Sequence, residues 1–165
     1  GLTGKMWAYE HFGIVPDLMC FGKKTQVCGF CSTGRIDEVQ DNVFNTSGRI
    51  NSTWGGNIVD MVRFKYIVDA INEENLIIKT HDVGAHLLWC LRSVREIDNV
   101  RGRGLMIAFD LPTSELRDRM MQLLQEDMLA LKCGSRSIRL RPPLTFSKDD
   151  ADMACHYITE AAKRL

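Results

Sequence analysis

The period at which apolar residues recur, and the way it switches along the chain, constrains the fold more than any other sequence feature. From about Asn57, Met61, Phe64, Ile67, Val68 and Ile71 fall at helical spacing and predict a long amphipathic helix. Val83, Leu87, Leu91 and Val94 predict a second helix, and Leu116, Met120, Leu123 and Leu124 a third. Between them, Leu105 to Leu111 reads as a strand preceded by a turn at Gly102 and Gly104. Short strands are expected near Ala130 to Cys133 and Ile138 to Leu140. Pro142 and Pro143 end the last one, because neither can donate a ladder hydrogen bond. Ser147 with Asp150 has the pattern of a capping box opening a final helix that buries Ala151, Ala154, Cys155, Ile158 and Ala162. Strands alternating with helices predict an α/β domain.

The first third reads differently. Lys5 to Phe12 has helical spacing, Leu18 to Phe21 is a short strand, and Gln26 to Ser32 is another strand candidate. Residues 34 to 56 are polar and turn-rich, which predicts a long loop. The change of period places the expected boundary between residues 1–56 and residues 57–165.

One segment here has the makings of chemistry. The run Leu18-Met19-Cys20-Phe21 ends on Gly22 and is followed by Lys23 and Lys24. A strand that ends on glycine delivers the next side chain to the sheet's carboxyl edge, where α/β proteins tend to bind ligands. A lysine there can be desolvated and can condense with an aldehyde. An ordinary surface lysine is the competing reading of this segment taken alone. Alternation along an extended segment would let only one of the two lysines face a shared site.

A second segment, Arg49-Ile50-Asn51-Ser52-Thr53-Trp54-Gly55-Gly56-Asn57, adds hydroxyls and backbone N–H groups on a glycine-flanked loop, a combination suited to phosphate. Three further blocks stand out: Gly1-Leu2-Thr3-Gly4-Lys5-Met6-Trp7-Ala8, Val100-Arg101-Gly102-Arg103-Gly104-Leu105, and Ser137-Ile138-Arg139-Leu140-Arg141-Pro142-Pro143-Leu144. Together and in this order the five segments resemble the class III pyridoxal-phosphate-dependent aminotransferases, and within them the lysine ε-aminotransferase branch.

The resemblance implies the carboxyl-terminal part of a fold-type I transferase, with residues 1–56 ending the large cofactor-binding domain and residues 57–165 forming the small α/β domain. It implies pyridoxal 5'-phosphate as cofactor and transfer of the terminal amino group of L-lysine to 2-oxoglutarate, with 4-aminobutyrate as the alternative donor. Lys23, at the family's spacing from Asp17, is the expected catalytic lysine, holding the cofactor covalently and later shuttling a proton. Thr53 is expected to reach the cofactor phosphate of a neighbouring subunit, which implies a homodimer, and Asn51 and Ser52 to line the same region. Arg139 is expected to bind a substrate carboxylate or to pair with an active-site glutamate; a rim salt bridge is its alternative role. If the last strand stays regular, Arg141 shares the face of Arg139. The family's acidic partner for the pyridine nitrogen, its phosphate loop and its ring-stacking aromatic lie upstream of Gly1. The chain is therefore expected to be a portion of a longer enzyme and, by itself, inactive; a non-catalytic α/β module is the rival reading.

Composition excludes other classes. Of 165 residues, 45% are hydrophobic, and Lys+Arg balance Asp+Glu at 21 each. A formal charge of zero gives no general attraction to nucleic acid or anionic membrane. No apolar run approaches the length of a transmembrane helix. The six cysteines are scattered, which favours reduced thiols and an intracellular setting, cytoplasmic or mitochondrial. Cys28-Gly29-Phe30-Cys31 has the spacing of a redox pair or half a zinc site, but no second pair completes it. Nothing in the spacing marks His81, His86 or His156 as ligands, and no metal is expected. Arg101 and Arg103 are read as solvated flanks of glycines that serve backbone geometry.

Overall fold

The computed structural model describes every residue except Asn51, and the backbone but not the side chain of Lys24. The chain divides into two compact units, one of residues 9–74 and one of residues 1–8 with 75–165. This division groups the helix after Asn57 with the residues before it, and residues 1–8 with the carboxyl-terminal part. It thus differs from the boundary at 56/57 that periodicity suggests.

In the 9–74 unit, a 3₁₀ turn (Ala8–Phe12) stands in place of the expected longer helix. Strand β1 (Leu18–Phe21) pairs antiparallel with β2 (Gly29–Ser32), Leu18 opposite Ser32 and Phe21 opposite Gly29. The long polar segment is organised around Asn42. Its amide nitrogen donates to the carbonyls of Ile36 and Val39, and its Oδ1 accepts from the Phe44 and Asn45 N–H groups. Helix α1 (Ile58–Glu73) starts where Asn57 Oδ1 accepts the Val59 N–H at 3.0 Å. Phe64 on α1 stacks on Phe21 of β1, ring centroids 6.0 Å apart. Yet α1 has no fully buried residue, and Ile58, Val59 and Tyr66 are exposed.

The other unit holds the hydrophobic core. Helix α2 (Leu76–Leu91) leads to β3 (Asp98–Arg103), β4 (Met106–Asp110), α3 (Ser114–Leu124), β5 (Leu131–Cys133), β6 (Ser137–Leu140) and α4 (Lys148–Ala162). The strands form one sheet in the order β3-β4-β6-β5, antiparallel throughout. Ile107 lies opposite Leu140 and Phe109 opposite Ile138, so these four buried side chains share one face. The helices contribute Val83, Leu87, Leu91, Met120, Leu124 and Ile158 to the same cluster. Fully burying side chains of this size stabilises by roughly 1.5–3 kcal/mol each. The capping box of α4 is complete: the Asp150 N–H donates to Ser147 Oγ, and the Ser147 N–H to Asp150 Oδ2.

Strand β3 was not expected from sequence. Val100 is its one apolar residue, five of six are exposed, and Asn99 adopts a positive φ of 49° in a bulge against β4. Glycine explains the turn that follows. A Cβ on Gly84 of α2 would lie 2.1 Å from the Gly104 carbonyl oxygen, and one on Gly104 would lie 2.6 Å from the Leu2 oxygen. The β3–β4 turn is therefore pressed between α2 and residues 2–4, and the Leu105 N–H donates to the Leu2 carbonyl at 2.9 Å. Arg101 is not merely a solvated flank. Its Nη1 donates to the buried Asp110 at 2.8 Å and to the Asn99 carbonyl, and its Nη2 to Ser137 Oγ. Burial alone would raise the Asp110 pKa. Hydrogen bonds from Ser137, Asn99 and Arg101, with the Arg101 charge, outweigh it and hold the carboxyl at about 2.

Candidate active site

Lys23 follows β1 directly, as the sequence suggests, but the backbone there is not extended. Lys23–Thr25 form a 3₁₀ turn, and Lys23 and Gln26 both adopt positive φ, 60° and 64°. Non-glycine residues in this region are uncommon and cluster at functional sites. The turn is held by the Gln26 N–H donating to the Lys23 carbonyl and by Thr25 Oγ1 donating to the Val27 carbonyl. Gly22 is itself extended, and its role is space: a Cβ there would meet Cys28 Sγ at 2.9 Å. The Lys23 side chain is exposed. Simple alternation therefore does not separate Lys23 from Lys24, because the two share a turn rather than a strand. Asp17, just before β1, pairs with Arg35 at 2.9 Å.

Thr53 lies in the same unit, at the tip of an exposed turn closed by the Gly55 N–H donating to the Ser52 carbonyl. Ser52 and Trp54 are exposed beside it. Asn51 lies outside the described residues.

Arg139 belongs to the other unit. It sits on β6 opposite Ala108 of β4 and Leu131 of β5, on the sheet face away from Ile138 and Leu140. Arg139 and Arg141 both border a cleft of about 700 Å³ whose walls include Leu129, Leu131, Phe146 and Tyr157. Strand β6 stops at Leu140, so Arg141 is held by the proline corner rather than by the ladder. Its Nε is buried and has no hydrogen-bond partner among the described residues. A guanidinium N–H beside an apolar cleft is a donor suited to a carboxylate or carbonyl oxygen. The Arg-Leu-Arg spacing was the sequence signal for it.

Two cysteine arrangements part company. Cys28 and Cys31 are exposed free thiols on the β1–β2 connection and β2, and no third ligand joins them among the described residues. His86, which sequence spacing left without partners, meets Cys90 and Asp152. No described helix is long and apolar enough to cross a membrane.

The family profile described as Aminotransferase class-III matches residues 1–162. An L-lysine-epsilon aminotransferase of Amycolatopsis lactamdurans is 46% identical over 92% of this chain and 35% of its own length. A 4-aminobutyrate aminotransferase of Kluyveromyces lactis is 35% identical over 93% of the chain and 34% of its own length. The solved structure of lysine aminotransferase from M. tuberculosis in the internal aldimine form superposes with a TM-score of 0.92 at 43% identity, covering 98% of this chain and 38% of that one. The chain thus spans little more than a third of the relatives it matches.

Proposed function

The chain belongs to the class III aminotransferases, and from that membership we propose that the longer protein containing it moves the terminal amino group of L-lysine to 2-oxoglutarate. The observation that carries this reading is the match to lysine ε-aminotransferases at 46% identity, against 35% for 4-aminobutyrate aminotransferases, over nearly the same residues. The family works with pyridoxal 5'-phosphate, and the residues present suit that group. Lys23 offers an exposed primary amine on a turn of fixed, unusual backbone geometry, and Thr53 offers a hydroxyl on an exposed turn.

In this reading Lys23 Nζ is the amine that would hold the cofactor through its aldehyde. When bound, pyridoxal phosphate supplies the electron sink for breaking a bond at the substrate carbon. With the cofactor bound, Lys23 Nζ would be the group that accepts the proton from that carbon and returns it. Thr53 Oγ1 donates to the phosphate, and its place at the tip of an exposed turn supports the proposal that it serves a neighbouring subunit in a homodimer. Arg139 presents a fork that matches a substrate carboxylate through two parallel hydrogen bonds. The reading includes no nucleic-acid or membrane partner, and the setting is intracellular.

The test is kinetic and chemical, on the full-length protein. With 2-oxoglutarate as acceptor, lysine should turn over with a higher kcat/KM than 4-aminobutyrate, and borohydride should fix the cofactor on the peptide containing Lys23. Label on another residue, or none, overturns the catalytic assignment. Preference for 4-aminobutyrate overturns the substrate.

A further inference from the structure

Helices α2 and α4 pack against each other, and the place where they meet gathers a set of donors that transamination does not use. His86 Nε2 lies 2.6 Å from Asp152 Oδ1 and 3.6 Å from Cys90 Sγ, and Cys90 Sγ lies 3.8 Å from the same carboxylate oxygen. His86 and Cys90 are one turn apart on α2, so both project towards α4. Asp152 and Cys155 are one turn apart on α4, and Cys155 lies close enough to Cys90 to act on its thiol. The exposed Trp89 ring stacks on His86 at 6.3 Å and braces the imidazole.

We propose that His86, Cys90 and Asp152 form a zinc site, with Cys155 the side chain at hand for the fourth position. Bond lengths of about 2.0–2.1 Å to nitrogen and oxygen and about 2.3 Å to sulfur place tetrahedral ligand atoms roughly 3.3–3.6 Å apart. The two sulfur separations, 3.6 and 3.8 Å, already sit near that spacing. The His86–Asp152 hydrogen bond, 2.6 Å long, has to open by about 0.7 Å. One nitrogen, one or two sulfurs and one oxygen are a donor set that zinc accepts and that calcium or magnesium does not. A thiol is a weak hydrogen-bond donor and gains little from aiming between an imidazole and a carboxylate. A cation at that point engages all three. Burial, with Cys155 and Asp152 close by, pushes the Cys90 thiol up to about 11, so the bound ion takes the thiolate and releases that proton.

The site is independent of the cofactor, and its test does not read transaminase activity. Full-length protein stripped with a chelator is titrated with Zn²⁺ by calorimetry and with Co²⁺ by absorption spectroscopy. One equivalent of either metal should bind, and Co²⁺ should give the intense visible bands of a tetrahedral site with a thiolate charge-transfer band. That band should weaken in Cys90→Ser, vanish when Cys90 and Cys155 are both replaced by serine, and persist when Cys28 and Cys31 are both replaced by serine. Asp152→Ala, a change at an exposed position that spares the core, should weaken Zn²⁺ binding at least about 100-fold, since even outer-shell partners of a metal cost 10–100-fold. Failure to take up an equivalent of zinc overturns the proposal. So does a thiolate band that survives replacement of both Cys90 and Cys155 by serine, or affinity unchanged in Asp152→Ala.

Discussion

Gly84→Ala sets two physical effects against each other, with opposite signs. Helix propensity alone favours the substitution by about 1 kcal/mol, because glycine inside a helix costs backbone entropy. Packing opposes it. The new Cβ would stand 2.1 Å from the Gly104 carbonyl oxygen, 2.4 Å from its carbon and 2.7 Å from its Cα, all backbone atoms with no rotamer to yield. The β3–β4 turn has no room to retreat, since Gly104 is already close against Leu2, Thr3 and Gly4 on its far side. Helix α2 must therefore move, pulling Val83 and Leu87 away from the core they fill. Overpacking of this kind costs roughly 1–3 kcal/mol and at times more, and the lack of any flexible neighbour puts this site at the top of that range. The net loss is then about 2 kcal/mol, or a fall of about 8–16 °C in Tm for a unit of this size. Thermal denaturation followed by circular dichroism, run beside Ala85→Gly on the exposed face of the same helix, checks it. Ala85→Gly loses only propensity, about 1 kcal/mol. A Gly84→Ala protein as stable as the parent, or more so, would refute the close-packing argument.

Acid should act through Asp110. Its folded pKa of about 2 lies below the ordinary 3.8, so its charge contributes stability that is fully present above about pH 4 and is lost as pH falls through 2. The contribution is about 2 kcal/mol. Denaturation midpoints of the parent and Asp110→Asn should differ most above pH 4 and converge towards pH 2, whereas a gap independent of pH would count against the network. Ser147→Ala removes the acceptor for the Asp150 N–H at the start of α4 and should cost about 1 kcal/mol in chemical denaturation, with no change in the unfolding slope. An unaltered midpoint would mean that solvent satisfies that N–H equally well.

What could be read from sequence was what depends on local pattern. The α4 capping box, the apolar run of β1 and the α2 stripe of Val83, Leu87 and Leu91 each declare themselves within one or two turns of chain. Strand β3 was invisible because its stability comes from pairing with β4 and from the Arg101–Asp110 contact, not from apolar side chains of its own. The α1 stripe was legible as a pattern but not as a core, since periodicity shows which face is apolar and not what covers it. For the site, Lys23 and Thr53 emerged from motif order, while the left-handed turn at Lys23 has no simple signature in Gly-Lys-Lys. The His86 cluster was missed because its two halves stand 66 residues apart; the i,i+4 and i,i+3 spacings were each visible, but nothing local joins them.

The contact between Leu2 and Leu105 reaches beyond the turn it closes. A polypeptide begun at residue 57, where the pattern of the chain invites a cut, would leave the Leu105 amide without its acceptor and strip the cover from Gly104. The carboxyl-terminal unit is thus stitched shut by residues that precede the whole 9–74 unit in the chain. It is completed only by a contact between Leu2 and Leu105, with the whole 9–74 unit lying between them in the chain. Dissecting this protein into independently folding pieces therefore calls for grafting residues 1–8 back, by circular permutation or as a separate peptide, rather than for trimming.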